Sequence, residues 1–307
     1  MPGPAEFEQL PAHADWRDVV AAAELPTAGP DLMVALDIDG TVLRHDTSLS
    51  PRVYEAVRAH IDAGTHIMLS TGRGISATQI VLEQLGMDRG YAIASNGSIV
   101  LSLGDTHPES MTTPLSPDVA TDAVPVRLIY SHSFDPSAEL KILSEHLEGA
   151  IFLVESVTQK RRLTALFPEG ELTGPSVIVP LEELSIPDAT RLTVRMPDIT
   201  PHELLATIES LGLSGVEYAV GWSAWLDIAP AGISKATGLE DVRRELGISP
   251  RATVTCGDSG NDTEMLDWAH LGVAMGNSPA YIRKHANTVT EHVNDDGAAL
   301  LLEELLG

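Results

Sequence analysis

The chain has 307 residues, 43% of them hydrophobic, with 44 Asp or Glu against 19 Lys or Arg, a formal net charge of −25, and one cysteine. That length allows two domains around a large core. The acidity argues against nucleic-acid binding, which needs basic patches, and no apolar run reaches the roughly 18 residues of a membrane helix. A single cysteine excludes an internal disulfide and suits a reducing, cytoplasmic setting, and no basic stretch precedes an apolar one at the amino terminus, so no secretory signal is expected.

Residues 1–30 are rich in Ala and Pro and read as an extension, with one short helical candidate near Asp15 to Leu25. The apolar run 32–37 has the pattern of a buried parallel strand. A polar turn with Arg44, His45 and Asp46 follows, and Ser50-Pro51 opens a helix by cap and N1 proline. The stripe Val53, Val57, Ile61 marks its buried face. Next come a strand over 65–70, a helix over 75–85 ending at Gly86, a strand over 91–95, the tight-turn signal Asn96-Gly97 and a strand over 98–103. This alternation implies a parallel sheet with helices on both faces.

Pro, Thr, Ser and Asp break the rhythm over 104–125, which reads partly as a linker. Residues 126–226 form a second, α+β unit. Its expected strands are 126–131, 150–156, 175–179, 190–196, 215–220 and 224–228, with helices over 137–148 and 201–212. The first rhythm resumes at 227. The chain therefore divides into a core of 31–103 and 227–307 and an insertion of 104–226.

Four short motifs carry the chemistry. Leu36-Asp-Ile-Asp-Gly-Thr41 ends the first strand, where open α/β sheets place their ligands. Strand side chains alternate, so Asp37 and Asp39 can face one pocket, and Gly40 permits a sharp turn. Two nearby carboxylates repel and call for a cation or a shared proton. Paired loop acids are often only solvated surface. A calcium loop is excluded, because the sixth position counted from Asp37 is Val42 and the twelfth is Ser48.

Ser70-Thr-Gly-Arg73 ends the second strand with a hydroxyl and backbone donors suited to phosphate. Gly232-Ile-Ser-Lys235 leads into a helix with the stripe Leu239, Val242, Leu246, and Lys235 is one of only four lysines. Cys256-Gly-Asp-Ser-Gly-Asn-Asp262 repeats the first pattern of strand, glycine and acid. Asn261 or Asp262 alone could be a helix cap, but capping does not explain Asp258. Cys256 itself reads as a small core residue.

These motifs in this order resemble the haloacid dehalogenase superfamily of aspartyl phosphatases, and Gly272-Val-Ala-Met-Gly-Asn-Ser-Pro279 resembles its Cof-type sugar-phosphatase branch. The resemblance spans roughly 31–103 and 227–307, with a looser match in between. Ala236 departs from the glycine usual after the lysine. The resemblance implies a Rossmann-like α/β core with an inserted α+β cap. It also implies a magnesium-dependent phosphatase that acts on a small phosphate monoester through an aspartyl phosphate.

It assigns Asp37 as nucleophile and Asp39 as general acid and base. Thr71 and Lys235 would act on the phosphoryl group. Gly40, Gly72, Arg73 and Asn96 would join them toward substrate. The cation would be held by the Asp37 carboxylate, the Asp39 carbonyl and Asp258, with Asn261 and Asp262 in support. In the insertion, Lys160, Arg161, Arg162, Arg191, Arg195, Trp222 and Trp225 are weak candidates that read more readily as surface charge or core packing. A phosphomutase of the same fold is the alternative. A dinucleotide-binding oxidoreductase fits less well, because Gly72-Arg-Gly74-Ile-Ser-Ala77 follows the second strand and the next strand ends in Ser95-Asn96 rather than an acid.

Overall fold

The computed structural model describes residues 15–168, 171–172, 174–211, 213, 216–220 (backbone path) and 224–307. Candidate Trp222 lies outside them. In chain order the elements begin with α1 (Trp16–Ala22), β1 (Met33–Leu36), α2 (Pro51–Ala63), β2 (His66–Ser70), α3 (Ile75–Gln84), β3 (Gly90–Ala94) and β4 (Ile99–Leu103). They continue with β5 (Thr113–Pro114), β6 (Val126–Ser131), α4 (Ser137–His146), β7 (Ile151–Glu155), β8 (Arg161–Leu163), β9 (Ser176–Ile178) and β10 (Arg191–Arg195). Then follow α5 (Pro201–Leu211), β11 (Val216–Val220), β12 (Trp225–Pro230), α6 (Lys235–Leu246), β13 (Thr253–Gly257) and α7 (Thr263–Trp268). The chain closes with β14 (Leu271–Ala274), α8 (Ala280–Arg283), β15 (Thr288–Val289) and α9 (Gly297–Leu306).

Local chemistry sets the helix ends. Ser50 caps α2 by accepting from the Arg52 amide, Pro51 takes the first helical position, and Gly64 ends the helix at φ 84°. Ser234 and Thr237 form a reciprocal capping box at the start of α6.

The large sheet has the order β15-β14-β13-β1-β2-β3-β4-β6-β5. Strands β15 through β3 run parallel, and β3–β4, β4–β6 and β5–β6 are antiparallel. Alternation divides the core between the two faces: Val34 and Leu36 enter one hydrophobic cluster, Met33 and Ala35 the other. The chain moves from β1 outward through β2 and β3, then returns to pair β13 on the other side of β1. That reversal is the switch point where such sheets bind ligands.

Three expectations need correction, the first being the boundary at 227, because residues 227–230, read as core, complete β12, which pairs with β10 and β11. Val126–Ser131 belongs to the large sheet, where it pairs with β4, although its sequence position assigned it to the inserted unit. The stretch read as linker contains β5, which pairs with β6. An open β4 edge exposes backbone donors and acceptors, and pairing with the next extended segment satisfies them.

The smaller sheet has the order β11-β12-β10-β7-β8-β9. Leu192 and Val194 of β10, with Leu226 and Ile228 of β12, pack in one cluster with Leu140 and Leu143 of α4 and Leu204 and Ile208 of α5. The alternate residues Arg191, Thr193, Arg195, Trp225 and Asp227 take the other face of this sheet. Among the described residues, no helix is long and apolar enough to cross a membrane.

Candidate active site

Asp37 and Asp258 meet because the register requires it. Leu36 pairs with Cys256 across the parallel β1–β13 ladder, so the next few residues of both strands leave the sheet side by side. Gly40 makes the approach possible. It sits at φ 81°, and a Cβ there would lie 2.1 Å from Asp258 Oδ2. Asn277 then fixes Asp258, donating to its Oδ2 and to the Gly40 carbonyl, both at 2.9 Å. Asn277 received no role from sequence. It lies in the quoted stretch 272–279, and that motif was the available signal.

Lys235 comes from the far side. Gly97, at φ 97°, lets the Asn96-Gly97 turn seat the start of α6, since a Cβ there would meet the Ser234 carbonyl oxygen at 2.0 Å. The Lys235 ammonium is 0% exposed. It donates to Asp37 Oδ1 at 2.5 Å and to Asp262 Oδ1 at 2.6 Å. Burial alone would lower its pKa, but Asp262 and Asp37 outweigh that and hold it above the ordinary lysine value.

Asp262 spends its other oxygen on the amides of Asp258 and Ser259, at 2.8 and 2.9 Å. It is therefore saturated within the protein. Asp37 is pushed up from 3.8 to about 7, first by burial, then by Asp262, with Lys235 opposing. Asp258 is pushed to about 9, again by burial first and then by Asp37 and Asp262.

Three carboxylates, of Asp37, Asp258 and Asp262, offer oxygens within 4.8 Å of one another. Asp258 Oδ1 is buried with no hydrogen-bond partner among the described residues. An orphaned carboxylate oxygen among hard oxygen donors, with one lysine against several acids, fits a divalent cation. Asp37 and Asp258 suit it better than Asp262, whose two oxygens are already engaged.

Of these acids, Asp37 opens onto a cleft of about 570 Å³ lined by both units. Asp37, Asp39, Gly40, Thr71, Gly72, Arg73 and Asn261 all line it. Asp39 is 52% exposed and bound bidentately by Arg73, with Nε to Oδ2 at 2.9 Å and Nη2 to Oδ1 at 2.5 Å. Thr71 is buried and accepts from the Arg73 amide. Asn96 is buried behind the cleft and accepts from Asn261 at 2.9 Å.

The inserted unit contributes more than sequence foresaw. Glu155 is buried between Arg161 and Arg191, and Arg191 also donates to the Gly72 carbonyl. Arg161, Arg191 and Trp225 line the cleft together with Glu171 and Asp227. Reading Arg161 and Arg191 as surface charge is thus overturned: both are buried, held by a carboxylate 6 and 36 residues away. Lys160 pairs with Asp118 at the surface, and Arg195 is held by Glu171. The alternation Arg191-Leu-Thr-Val-Arg195 and Trp225-Leu-Asp-Ile228 was the signal that one sheet face carries polar groups.

A family model for haloacid dehalogenase-like hydrolases matches residues 34–302. The chain is 25% identical over 282 residues to the 5-amino-6-(5-phospho-D-ribitylamino)uracil phosphatase YitU of Bacillus subtilis, covering 89% of this chain and 96% of that one. It is 28% identical over 268 residues to a phosphoglycolate phosphatase of Natronomonas pharaonis, covering 86% and 93%. The fold matches the solved structure of the subclass IIB sugar phosphatase BT4131 with a TM-score of 0.69 at 23% identity, covering 89% of this chain and 98% of that one.

Proposed function

Because this chain belongs to the haloacid dehalogenase-like hydrolases and is a phosphoric monoester hydrolase, we propose that it releases phosphate from a small ester, a sugar phosphate or related metabolite, in two displacements at Asp37 with magnesium as cofactor. The carboxylate of Asp37 attacks phosphorus, and the bond from phosphorus to the ester oxygen breaks. Asp39 gives its proton to that oxygen. It then takes a proton from water as the water oxygen attacks the phosphorus of the aspartyl phosphate, and the bond to Asp37 breaks. A carboxylate suits this role because it needs no separate base to be nucleophilic, and the same Asp39 can serve both proton transfers.

Lys235 holds Asp37 in place and opposes charge on the phosphoryl oxygens. Thr71 offers its hydroxyl to them. Arg73 binds Asp39 in the resting arrangement. A guanidinium fork also suits phosphate, so an entering substrate competes for Arg73 and releases Asp39 to act. The Asp37 carboxylate, the Asp39 carbonyl and the Asp258 carboxylate would hold magnesium, with Asn277 and Asp262 fixing Asp258 and its loop. When bound, the ion neutralises the acids and the incoming phosphate.

The observation that carries this reading is the Asp37–Lys235–Asp262 chain beside the orphaned Asp258 oxygen at one end of the cleft. The test is phosphate release from an ester panel by metal-stripped protein, before and after magnesium is added. No release while stripped, and recovery with magnesium but not with calcium, is expected. Calcium favours more ligands at longer distances. Full activity in demonstrably metal-free protein would overturn the metal assignment.

A further inference from the structure

We propose that the part of the cleft away from Asp37 is built for a leaving group carrying a flat heteroaromatic ring with a hydrogen-bond donor, the ring stacked on Trp225 and the donor directed to Asp227. This rests on the phosphatase reading for where the phosphoryl end lies.

The walls away from the acids mix an apolar strip with the polar groups Gln84, Arg161, Glu171, Arg191 and Asp227. Ala77, Ile80 and Val81 of α3 stand on the core side, and Leu172 and Trp225 on the inserted side. Two contacts hold the Trp225 ring. Its Nε1 donates to Asp227 Oδ1 at 2.9 Å, and its ring meets Phe167 edge-on with centroids 5.0 Å apart. A platform already held this way loses little freedom when a ligand arrives. Stacking of a ring on such a residue is worth roughly 5- to 150-fold in affinity.

Asp227 supplies the polar handle. Its Oδ1 accepts from Trp225 and from Thr193 Oγ1. Its Oδ2 has Arg191 at 3.6 Å, beyond hydrogen-bond length, and so retains acceptor capacity. The cations near it are also engaged by other carboxylates, Arg191 being shared between Asp227 and Glu155. Arg161 and Arg191 both contact Glu155, and Arg195 grips Glu171 with two nitrogens. An anionic substituent would have to break one of these pairs, whereas a ring N–H, amino or hydroxyl group finds an acceptor ready. The cleft volume of about 570 Å³ also falls in the range that encloses a drug-sized ligand, far more than a two-carbon acid fills.

The experiment compares kcat/KM for acetyl phosphate, glycerol 3-phosphate and 2-phosphoglycolate with that for pyridoxal 5′-phosphate and adenosine 5′-monophosphate. In parallel, calorimetry measures binding of pyridoxine and adenosine, which lack the phosphoryl group, to the wild type, Trp225→Leu, Trp225→Phe and Asp227→Asn. At least one ring ester should exceed the acyclic esters by roughly tenfold or more. Its ring alcohol should bind about fivefold or more weakly to Trp225→Leu and more weakly to Asp227→Asn, with Trp225→Phe retaining most of the affinity. Equal use of acyclic and ring esters, preference for 2-phosphoglycolate, or binding unaffected by Trp225→Leu would overturn the stacking assignment, and binding unaffected by Asp227→Asn would overturn the acceptor assignment. If neither the esters nor the acyl phosphate released phosphate, the phosphatase reading would fail, and ring-alcohol binding would still decide this proposal by itself.

Discussion

Lys235 occupies the first position of a helix, where the backbone dipole opposes a cation, and it is sealed from water. Asp37 and Asp262 offset both penalties, and removing one member of such a buried group typically costs about 3–5 kcal/mol. Asp39, in contrast, is half exposed and, among the described residues, its carboxylate is held by Arg73, so its replacement should spare the fold. Asp39→Asn is expected to slow ordinary esters by on the order of 10²–10⁴-fold. The loss should be smaller for an activated aryl phosphate, whose leaving group needs no proton. Parallel kinetics on the two substrate types check this, and an equal loss on both would argue against proton donation. The placement of Asp37, Asp258 and Lys235 was legible because each follows a strand or opens a helix within a few residues. Glu155, Asp227 and Asn277 were not. Some of their partners lie 36, 34 and 237 residues away, so the motif and the strand alternation marked their surroundings but not these pairings.

The helix α6 that carries Lys235 is tied to α7 through Glu240, which accepts from Arg243, Arg244 and the Trp268 indole. The hydrogen bond from Arg243 is the largest cause holding the Glu240 carboxyl down at about 2, against an ordinary 4.5. A carboxyl depressed in the folded state stabilises the fold fully above its unfolded pKa and loses that contribution as the pH falls toward the folded value. Stability should therefore decline from about pH 4.5 to pH 2, and Glu240→Gln should flatten this part of the decline while lowering stability at pH 7. Denaturant titrations across that range test the sign; a variant with the wild-type acid profile would contradict it. At this scale the core helices were readable from Ser50-Pro51, Gly86 and the stripe Leu239, Val242, Leu246. Strands β5 and β6 were misassigned because pairing, rather than propensity, decides which sheet an extended segment joins.

Across the molecule, chain order creates the site: β1 lies between β2 and β13, so motifs near residues 37, 71 and 258 converge at one sheet end. The resumption of the alternating rhythm made the insertion legible, but the boundary at 227 was set too early, since 227–230 complete β12 of the smaller sheet. The cleft wall was not legible, since it forms only when the smaller sheet turns its polar face to the core. Arg191, held by Glu155 of its own unit, links the two units through the Gly72 carbonyl. Arg191→Ala should cost about 3–5 kcal/mol in urea unfolding, and a loss under about 1 kcal/mol would show that the link contributes little. The central claim is that phosphorus passes through the Asp37 carboxylate. Phosphate release by Asp37→Asn, assayed with magnesium against a panel of phosphate esters, tests it most directly. The predicted result is a folded protein with turnover reduced by at least on the order of 10³-fold on every ester; turnover near that of the wild type on any of them would contradict the account.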